Sequence, residues 1–559
     1  MNIVIFSGGT GSVALQNGLK EFNSHCKITN IINALDSGKG TGICRKICDV
    51  LGPSDIRKNH ITQYKNSNQV KNKNIIEFYE NRYDFNSIDF CFEMLDKWGL
   101  EQFKSILVEF FTFAFKKEIF EFRDFNLANI VYAMLFKRCG YEKTIDYFKE
   151  LLDIDDDIIL NSFSNSILKA HTESGKIINS EHEIVDYNNI DKITDIFFEG
   201  EEVILNKSIN LDNCDLLILS AGTQWASLIP TYATPGMKEL IENVKCKKIL
   251  VCNNKQDKDM IGVNQSRIID QIEKFISLKD FIVLVNEDAD KRMNYVNNVT
   301  LSRKYSKMGN DEKGRHDPIL LAKECLKIYF NLIDQPDCLM FDFDRTIFDR
   351  DNIKVFKENC EMLDKISSKI KCVIVSGNGY RHVHKNLSEF FGGEMDVNFD
   401  IWADGGVVKY DKTIPCLVNK ELSIENENMV LSYLEKCGVG DKIDIRGANG
   451  IITCISVNGL DDSARNILCN SLNDFLFADF NLKNKAYFRG RTSIDILNMK
   501  SDKKLVYNYY NKDYNQIMYI GDELDNGNDK EIANLCFQKH NTKDIFETNT
   551  FLKLILGEL

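Results

Sequence analysis

Short apolar runs alternate with amphipathic stretches along most of the chain, and the alternation restarts once. Asn2 to Phe6 predicts a strand, Ser12 to Phe22 a helix, and Lys27 to Leu35 another strand. Leu216 to Ser220, Ile249 to Cys252 and Phe281 to Val285 read as further strands. Such alternation implies a parallel sheet flanked by helices and joined by right-handed crossovers. Residues 75–170 interrupt it with aromatic-rich helical stretches, which predict an insert lying over the sheet. Pro318 to Ile333 carries Leu320, Leu321, Cys325, Ile328 and Leu332 at helical spacing and closes a first unit, 1–334. The polar stretch Gln335-Pro336-Asp337 marks the boundary.

The second unit, 335–559, repeats the grammar. Cys338 to Asp342 predicts a strand, and Ile353, Phe356, Cys360, Leu363, Ile366 and Ile370 share a helix face. Cys372 to Val375 is the next strand. From about 413 to 490 the pattern shifts to strands and helices without a phosphate-type loop, which predicts a cap inserted into the core. The core is expected to resume at Ser493 to Leu497 and to end with the strand Gln516 to Ile520. The fold class expected is α/β: two doubly wound, Rossmann-like parallel-sheet units, the second with an inserted α+β cap.

Composition narrows the function classes. A chain of 559 residues needs more than one core. The net charge of -13 argues against a nucleic-acid partner, because phosphate backbones demand clustered Lys and Arg. The start, Met1 to Gly8, lacks a basic export segment, and the aromatic stretch Phe110 to Phe115 is cut short by Lys116 and Lys117. No membrane partner is therefore expected. The seventeen cysteines are scattered without paired zinc-type spacing, and reduced thiols in a cytoplasmic protein are the expectation.

The chemistry concentrates after the strands of the second unit. Asp342-Phe343-Asp344-Arg345-Thr346 is followed, in order, by Ser376-Gly377, Lys503, and Gly521-Asp522 leading to Asn528-Asp529. A carboxylate at a strand end can attack phosphorus, and one two residues on points the same way. Asp342 is the candidate nucleophile, Asp344 the general acid/base, and Lys503 the counter-charge. Thr346, Ser376, Gly377 and Asn528 are candidate phosphate contacts. Asp342, Asp344, Asp522 and Asp529 offer hard oxygen ligands for Mg2+. In the first unit, Gly8-Gly9-Thr10-Gly11 follows a strand and opens a helix, as does Asp36-Ser37-Gly38-Lys39-Gly40-Thr41-Gly42. Two glycine loops at neighbouring strand ends suit a diphosphate. Gly52-Pro53-Ser54-Asp55-Ile56-Arg57 brings an acid and a guanidinium to the same rim.

Residues 336–559 resemble the haloacid dehalogenase superfamily, in the branch of Cof-type sugar phosphatases and phosphomannomutases. Trp402-Ala403-Asp404-Gly405-Gly406-Val407-Val408 resembles the segment preceding that branch's cap. Arg345 stands where the family's first motif usually has Gly, and the acidic loop is longer than Gly-Asp-x-x-Asn-Asp. The cap selects substrate in this branch, so the resemblance makes Arg446, Arg489 and Arg491 candidate contacts. Residues 1–330 resemble the 2-phospho-L-lactate transferases and their UDP-sugar-binding bacterial relatives. The likeness extends through Asn126-Leu127-Ala128-Asn129, Ser220 to Pro230 and His316-Asp317-Pro318. It implies that Gly9, Thr10, Gly11, Asp36, Asp55, Arg57, Asn129, Gly222 and Ser227 line a nucleotide-diphosphate pocket. Ser37 and Lys39 depart from the family's second loop, and Asn253 to Asp257 from its usual Thr-Gln-Pro-Gly-Glu. The expected partners are a phosphorylated small molecule and a nucleotide-diphosphate-linked ligand, with a homodimer as the candidate assembly. The function expected is a Mg2+-dependent phosphohydrolase fused to a phospho-group transferase. The alternatives are a UDP-sugar sensor regulating the phosphatase, or a phosphomutase.

Overall fold

The computed structural model describes residues 1–559 except 68–69, 86, 188–189, 294–301, 392–396, 412–413, 420–423, 477–483, 490–491, 499–501 and 526–528. The chain divides into two compact units, Met1–Cys325 and Leu326–Leu559. The division falls inside the helix Pro318–Tyr329, ahead of the polar Gln335-Pro336-Asp337.

Unit 1 is built on seven parallel strands. Their order is Ser302–Ser306, Phe281–Asn286, Lys247–Val251, Leu216–Leu219, Asn2–Ser7, Lys27–Ile32, Asp157–Leu160. The central strands are buried on both faces, which is why they read as continuous apolar runs rather than as alternation. Chain order reverses between Asn2–Ser7 and Leu216–Leu219, and a crevice beyond the carboxyl ends of such a pair is where open sheets take ligands. The glycine loop Gly8 to Gly11 leaves one of these strands, and Ala221-Gly222 leaves the other.

The aromatic insert packs as five helices, Lys73–Glu80, Ile88–Trp98, Lys104–Lys116, Leu127–Cys139 and Tyr141–Leu152. Phe78, Phe110, Phe125, Tyr132 and Phe148 are buried in their core. The helices end before residue 170. Asp153, at φ +46, closes the last one, and β-branched Ile158 and Ile159 put Asp157–Leu160 on the sheet edge. Ile167–Thr172 joins a small antiparallel sheet with Ile177–Ile178 and Ile193–Glu199.

Unit 2 has a second seven-stranded sheet. Its order is Ile414–Val418, Val408–Asp411, Asp400–Ala403, Lys371–Val375, Cys338–Phe341, Ile517–Gly521, Gln538–Asn541. The last five are parallel, and Val408–Asp411 pairs antiparallel with Asp400–Ala403 on one side and with Ile414–Val418 on the other. The cap is a four-stranded antiparallel sheet, ordered Ile443–Ala448, Ile451–Val457, Ser493–Asn498, Asn484–Arg489, with helices Ile424–Lys436 and Asp462–Asp474.

Three expectations are corrected here. Ile414–Val418 belongs to the core edge rather than to the cap. Ser493–Asn498 belongs to the cap, where Ile494 and Ile496 bury beside Ile455 and Val457. A period-two apolar strand fits either sheet equally well, so its pattern alone does not choose between them. The core also runs past Ile517–Gly521, through Gln538–Asn541 and the helix Ile545–Leu556. Among the described residues no helix is long and apolar enough to cross a membrane.

Gly18 lies in the helix Val13–Phe22, where alanine would be the better helix former by about 1 kcal/mol. A Cβ there would stand 1.9 Å from the Pro318 carbonyl oxygen and 2.8 Å from Ala322 Cβ. Gly18→Ala is therefore expected to lower the melting temperature, read by circular dichroism. A raised melting point would show that propensity outweighs the close approach.

Candidate active site

The parallel register sets the site of unit 2. Phe341 pairs with Ile374 on one side and Ile520 on the other, so Asp342, Ser376 and Asp522 all emerge near the same carboxyl edge. The Asp342 amide donates to the Ile520 carbonyl at 2.9 Å, which holds the start of the loop. Lys503 reaches the same point from the chain segment after the cap. Its Nζ donates to Asp342 Oδ1 at 2.5 Å and also to Asp529 Oδ1. Tyr519, from the strand Ile517–Gly521, donates its hydroxyl to Asp529 Oδ1 at 2.7 Å.

Asp342, Asp522 and Asp529 each present a carboxylate oxygen within 4.8 Å of the others. Asp529 is fully buried, and its Oδ2 has no hydrogen-bond partner. A buried acceptor left unpaired is costly, and an ion can supply the missing partner. Burial holds the Asp342 carboxyl well above the carboxylate range; Asp529 and Asp522 add to this while Lys503 opposes it. Burial likewise raises Asp522 to about 6, against the pull of Arg345. Three acids facing one ammonium in a dry crevice, with oxygen donors only, suit a hard divalent ion such as Mg2+.

Asp344 is oriented differently from the other acids. Its Oδ2 accepts from Asn378 Nδ2 at 2.6 Å and its Oδ1 from His382 Nε2 at 2.8 Å, so it stands outside the three-carboxylate cluster. Burial would raise its pKa, but those two partners prevail and hold it below the ordinary value. Arg345 adopts φ +59, the left-handed conformation that glycine takes easily, and its Nη2 spans Asp522 at 2.8 Å and Glu523 at 2.7 Å. Thr346 is fully buried, with Oγ1 unpaired. Ser376 Oγ accepts from the Asn378 amide at 2.9 Å. Asn528 lies outside the described residues.

A cavity of about 590 Å³ opens beside Asn378 and His382, between core and cap, with Tyr380, Tyr410, Asp404 and Arg446 in its lining. Tyr380 and Tyr410 stack at 3.8 Å. Arg446 is committed to the protein. Nη2 pairs with Asp495 at 2.8 Å, and Nη1 donates to the Gly377 carbonyl at 2.8 Å. It ties the cap strand Ile443–Ala448 to the Ser376-Gly377 loop instead of offering a free guanidinium. Arg491 and the Arg489 side chain lie outside the described residues.

In unit 1 a cavity of about 210 Å³ sits at the strand-order reversal. Gly9, Thr10, Gly11, Gly222 and Ser227 line it, with Asn253 and Lys255 among their neighbours. A Cβ on Gly11 would fall 2.2 Å from the Ala221 carbonyl oxygen, so the two loops approach as closely as backbone allows. Asp36, Asp55, Arg57 and Asn129 are not in this lining. Asp55 abuts Gly9 and pairs with Lys58 at 3.1 Å. Arg57 Nε donates to Asn129 Oδ1 at 2.8 Å. Asp36 is raised to about 6 by burial and then by Asp55. Glu181, whose Oε2 accepts from the Ser37 amide at 2.9 Å, is raised to about 8 by burial and then by Asp36.

Residues 3–320, more than half of the chain, match the family described as 2-phospho-L-lactate transferase CofD. The chain belongs to that family. It is 24% identical, across 289 residues, to a candidate gluconeogenesis factor of Thermotoga maritima; this covers 51% of the chain and 79% of the relative. The gluconeogenesis factor of Bacillus subtilis is 22% identical over 254 residues, 45% of this chain and 67% of that protein. A solved UPF0052-family protein from Bacillus halodurans is 19% identical, with TM-score 0.47, covering 58% of this chain and 98% of that one. The C-terminal domain of C. albicans trehalose-6-phosphate phosphatase is 12% identical, with TM-score 0.32, covering 40% of this chain and 94% of that one.

Sequence reading missed Asn378, which follows Ser376-Gly377 directly, and His382, in the first turn of the helix Tyr380–Phe391. It also missed Tyr519, a strand residue indistinguishable in sequence from a core aromatic. Glu181 was missed because the short helix Glu181–Val185, not the glycine loop, carries it.

The raised pKa of Glu181 has a definite sign. Below pH 4.5 the group is protonated in both folded and unfolded chains. Between 4.5 and about 8 it ionises only when unfolded, so the fold loses stability as pH rises through that window. Glu181→Gln, which can still accept from the Ser37 amide, should match wild type near pH 4 and melt progressively higher than wild type up to pH 8. Melting curves across pH that stay parallel would contradict the assignment.

Proposed function

We propose that unit 2 is a Mg2+-dependent phosphohydrolase acting on a small phosphorylated metabolite of the sugar-phosphate type. The observation that carries this reading is the convergence of Asp342, Lys503, Asp522 and Asp529, distant in sequence, on one crevice. Asp342, Asp522 and Asp529 would hold Mg2+, which when bound offsets the charge of an incoming phosphoryl group. Asp342 attacks phosphorus through a carboxylate oxygen, and the phosphorus–oxygen bond to the organic group breaks as an aspartyl-phosphate forms. Lys503 balances charge on Asp342. Asp344, hydrogen-bonded to His382, relays a proton from that imidazole to the departing oxygen and then takes one from the water that releases phosphate. Ser376 and Thr346 supply hydroxyls at the phosphate loop. The cavity flanked by Tyr380, Tyr410 and Asp404 receives the organic part.

Unit 1, on this reading, binds a nucleotide-diphosphate-linked ligand at the glycine loop and transfers its phosphorylated group. A second reading, in which it senses such a ligand without turnover, is supported by relatives named as gluconeogenesis factors rather than transferases.

Asp342→Asn should reduce Mg2+-dependent phosphate release from a panel of sugar phosphates by on the order of a thousandfold or more. Retained turnover would remove the nucleophile. For unit 1, UDP- and GDP-linked compounds should raise the melting temperature of the full chain, with about 2.7 kcal/mol of stabilisation at a hundred times Kd. Absence of a shift with every nucleotide tried would refute the pocket, and product analysis separates transfer from sensing.

A further inference from the structure

Arg57 lies on the helix Ser54–Asn66 and is 3% exposed. Its Nε donates to Asn129 Oδ1 at 2.8 Å and its Nη1 to the Tyr79 carbonyl. Both acceptors are neutral. Among the described residues no carboxylate pairs with it: Asp55, whose charge reaches it, is held by Lys58 at 3.1 Å. Burial, and then the neighbouring charge of Arg82, lowers its pKa to about 10, which still leaves it a full cation at neutral pH. A buried guanidinium without a counter-ion is a costly arrangement for a fold to keep.

Arg57 opens onto a cavity of about 370 Å³ that is separate from the glycine-loop cavity but shares Gly9 and Thr10 with it. Three more cations, Lys58, Lys65 and Arg82, stand in its lining against one acid, Glu80. Glu80 is taken by Lys65 at 2.5 Å, and Arg82 reaches out to Asp124 at 3.2 Å. Each outer cation thus has an acid beside it, and the innermost one does not. Guanidinium geometry favours planar or tetrahedral oxyanions, which it meets with paired N–H donors.

We propose that this cavity is a second anion site, which holds the oxyanion of a small acidic molecule, with Arg57 as its buried anchor and Lys58, Lys65 and Arg82 at its mouth. An acid held there would lie on the other side of Gly9 and Thr10 from whatever the glycine loop holds. The two ligands would share one backbone wall. The site stands whether or not the glycine loop takes a nucleotide.

Crystals of the full chain soaked in selenate test the location directly, since selenium scatters anomalously. A peak within hydrogen-bond distance of the Arg57 guanidinium is expected in wild type, and its absence overturns the site. In solution, calorimetric titration of the full chain in EDTA with inorganic phosphate, and separately with malonate, tells a phosphoryl ligand from a carboxylate. Arg57→Gln should weaken the preferred anion at least tenfold. Its melting temperature without anion should stay near wild type, because glutamine relieves the unpaired charge while retaining a donor. A structural clamp predicts the reverse, a lowered melting temperature with anion binding unchanged, and that result refutes the proposal. Should Arg57→Gln fail to fold, Arg82→Gln at the mouth decides: a several-fold loss of affinity supports the site, and unchanged affinity rejects it.

Discussion

The ammonium of Lys503, enclosed between Asp342 and Asp529, is the interaction on which unit 2 depends. It is 2% exposed, and both of its acids are buried with it. Removing one partner of such a pair typically costs about 3–5 kcal/mol, because the other is left charged and dry. The pairing therefore constrains the chain on both sides of the cap, which must return Lys503 to the carboxyl end of the strand Cys338–Phe341. Gly406, at φ +82, shows how closely: a Cβ there would stand 3.1 Å from Lys503 Cα. The backbone after the strand Asp400–Ala403 lies directly against the lysine, and the loop before the cap and the segment after it meet at this point.

Both units place their candidate sites at the carboxyl edge of a parallel sheet, but they build them differently. Unit 2 gathers acids, and buried oxygens at its candidate site, Asp529 Oδ2 and Thr346 Oγ1 among them, lack a hydrogen-bond partner. The unit 1 loops are glycine-rich and bring backbone close to backbone, as Gly11 does against Ala221. Arg345 shows the cost of departing from glycine. It holds a left-handed conformation that a side chain tolerates poorly, and ion pairs to Asp522 and Glu523 offset the strain.

The strands, and the motif residues that follow them, were legible in the sequence because buried parallel strands are continuous apolar runs and the motifs sit at their ends. Asp342, Ser376 and Asp522 needed only that rule. The residues that hold the motif side chains were not legible. His382 acts on Asp344 across 38 positions, Tyr519 on Asp529 from inside a strand, and Arg446 on Gly377 from the cap. None carries a local signal, since each depends on which elements become neighbours. The exchange of Ile414–Val418 and Ser493–Asn498 between core and cap has the same origin: strand pattern specifies a buried face, not the sheet that buries it.

Arg446 and Arg57 are both buried arginines, yet the structure argues opposite roles for them. Arg446 has Asp495 and Asp404 as counter-charges and spends a donor on the Gly377 carbonyl. Its charge is already balanced, so it serves as a strut between the cap and the Ser376-Gly377 loop. Among the described residues Arg57 has an amide and a carbonyl as its acceptors, and it faces a cavity. Burial alone would have ranked the two alike. The supply of acids around each guanidinium separates the residue that completes the fold from the one still lacking a counter-ion.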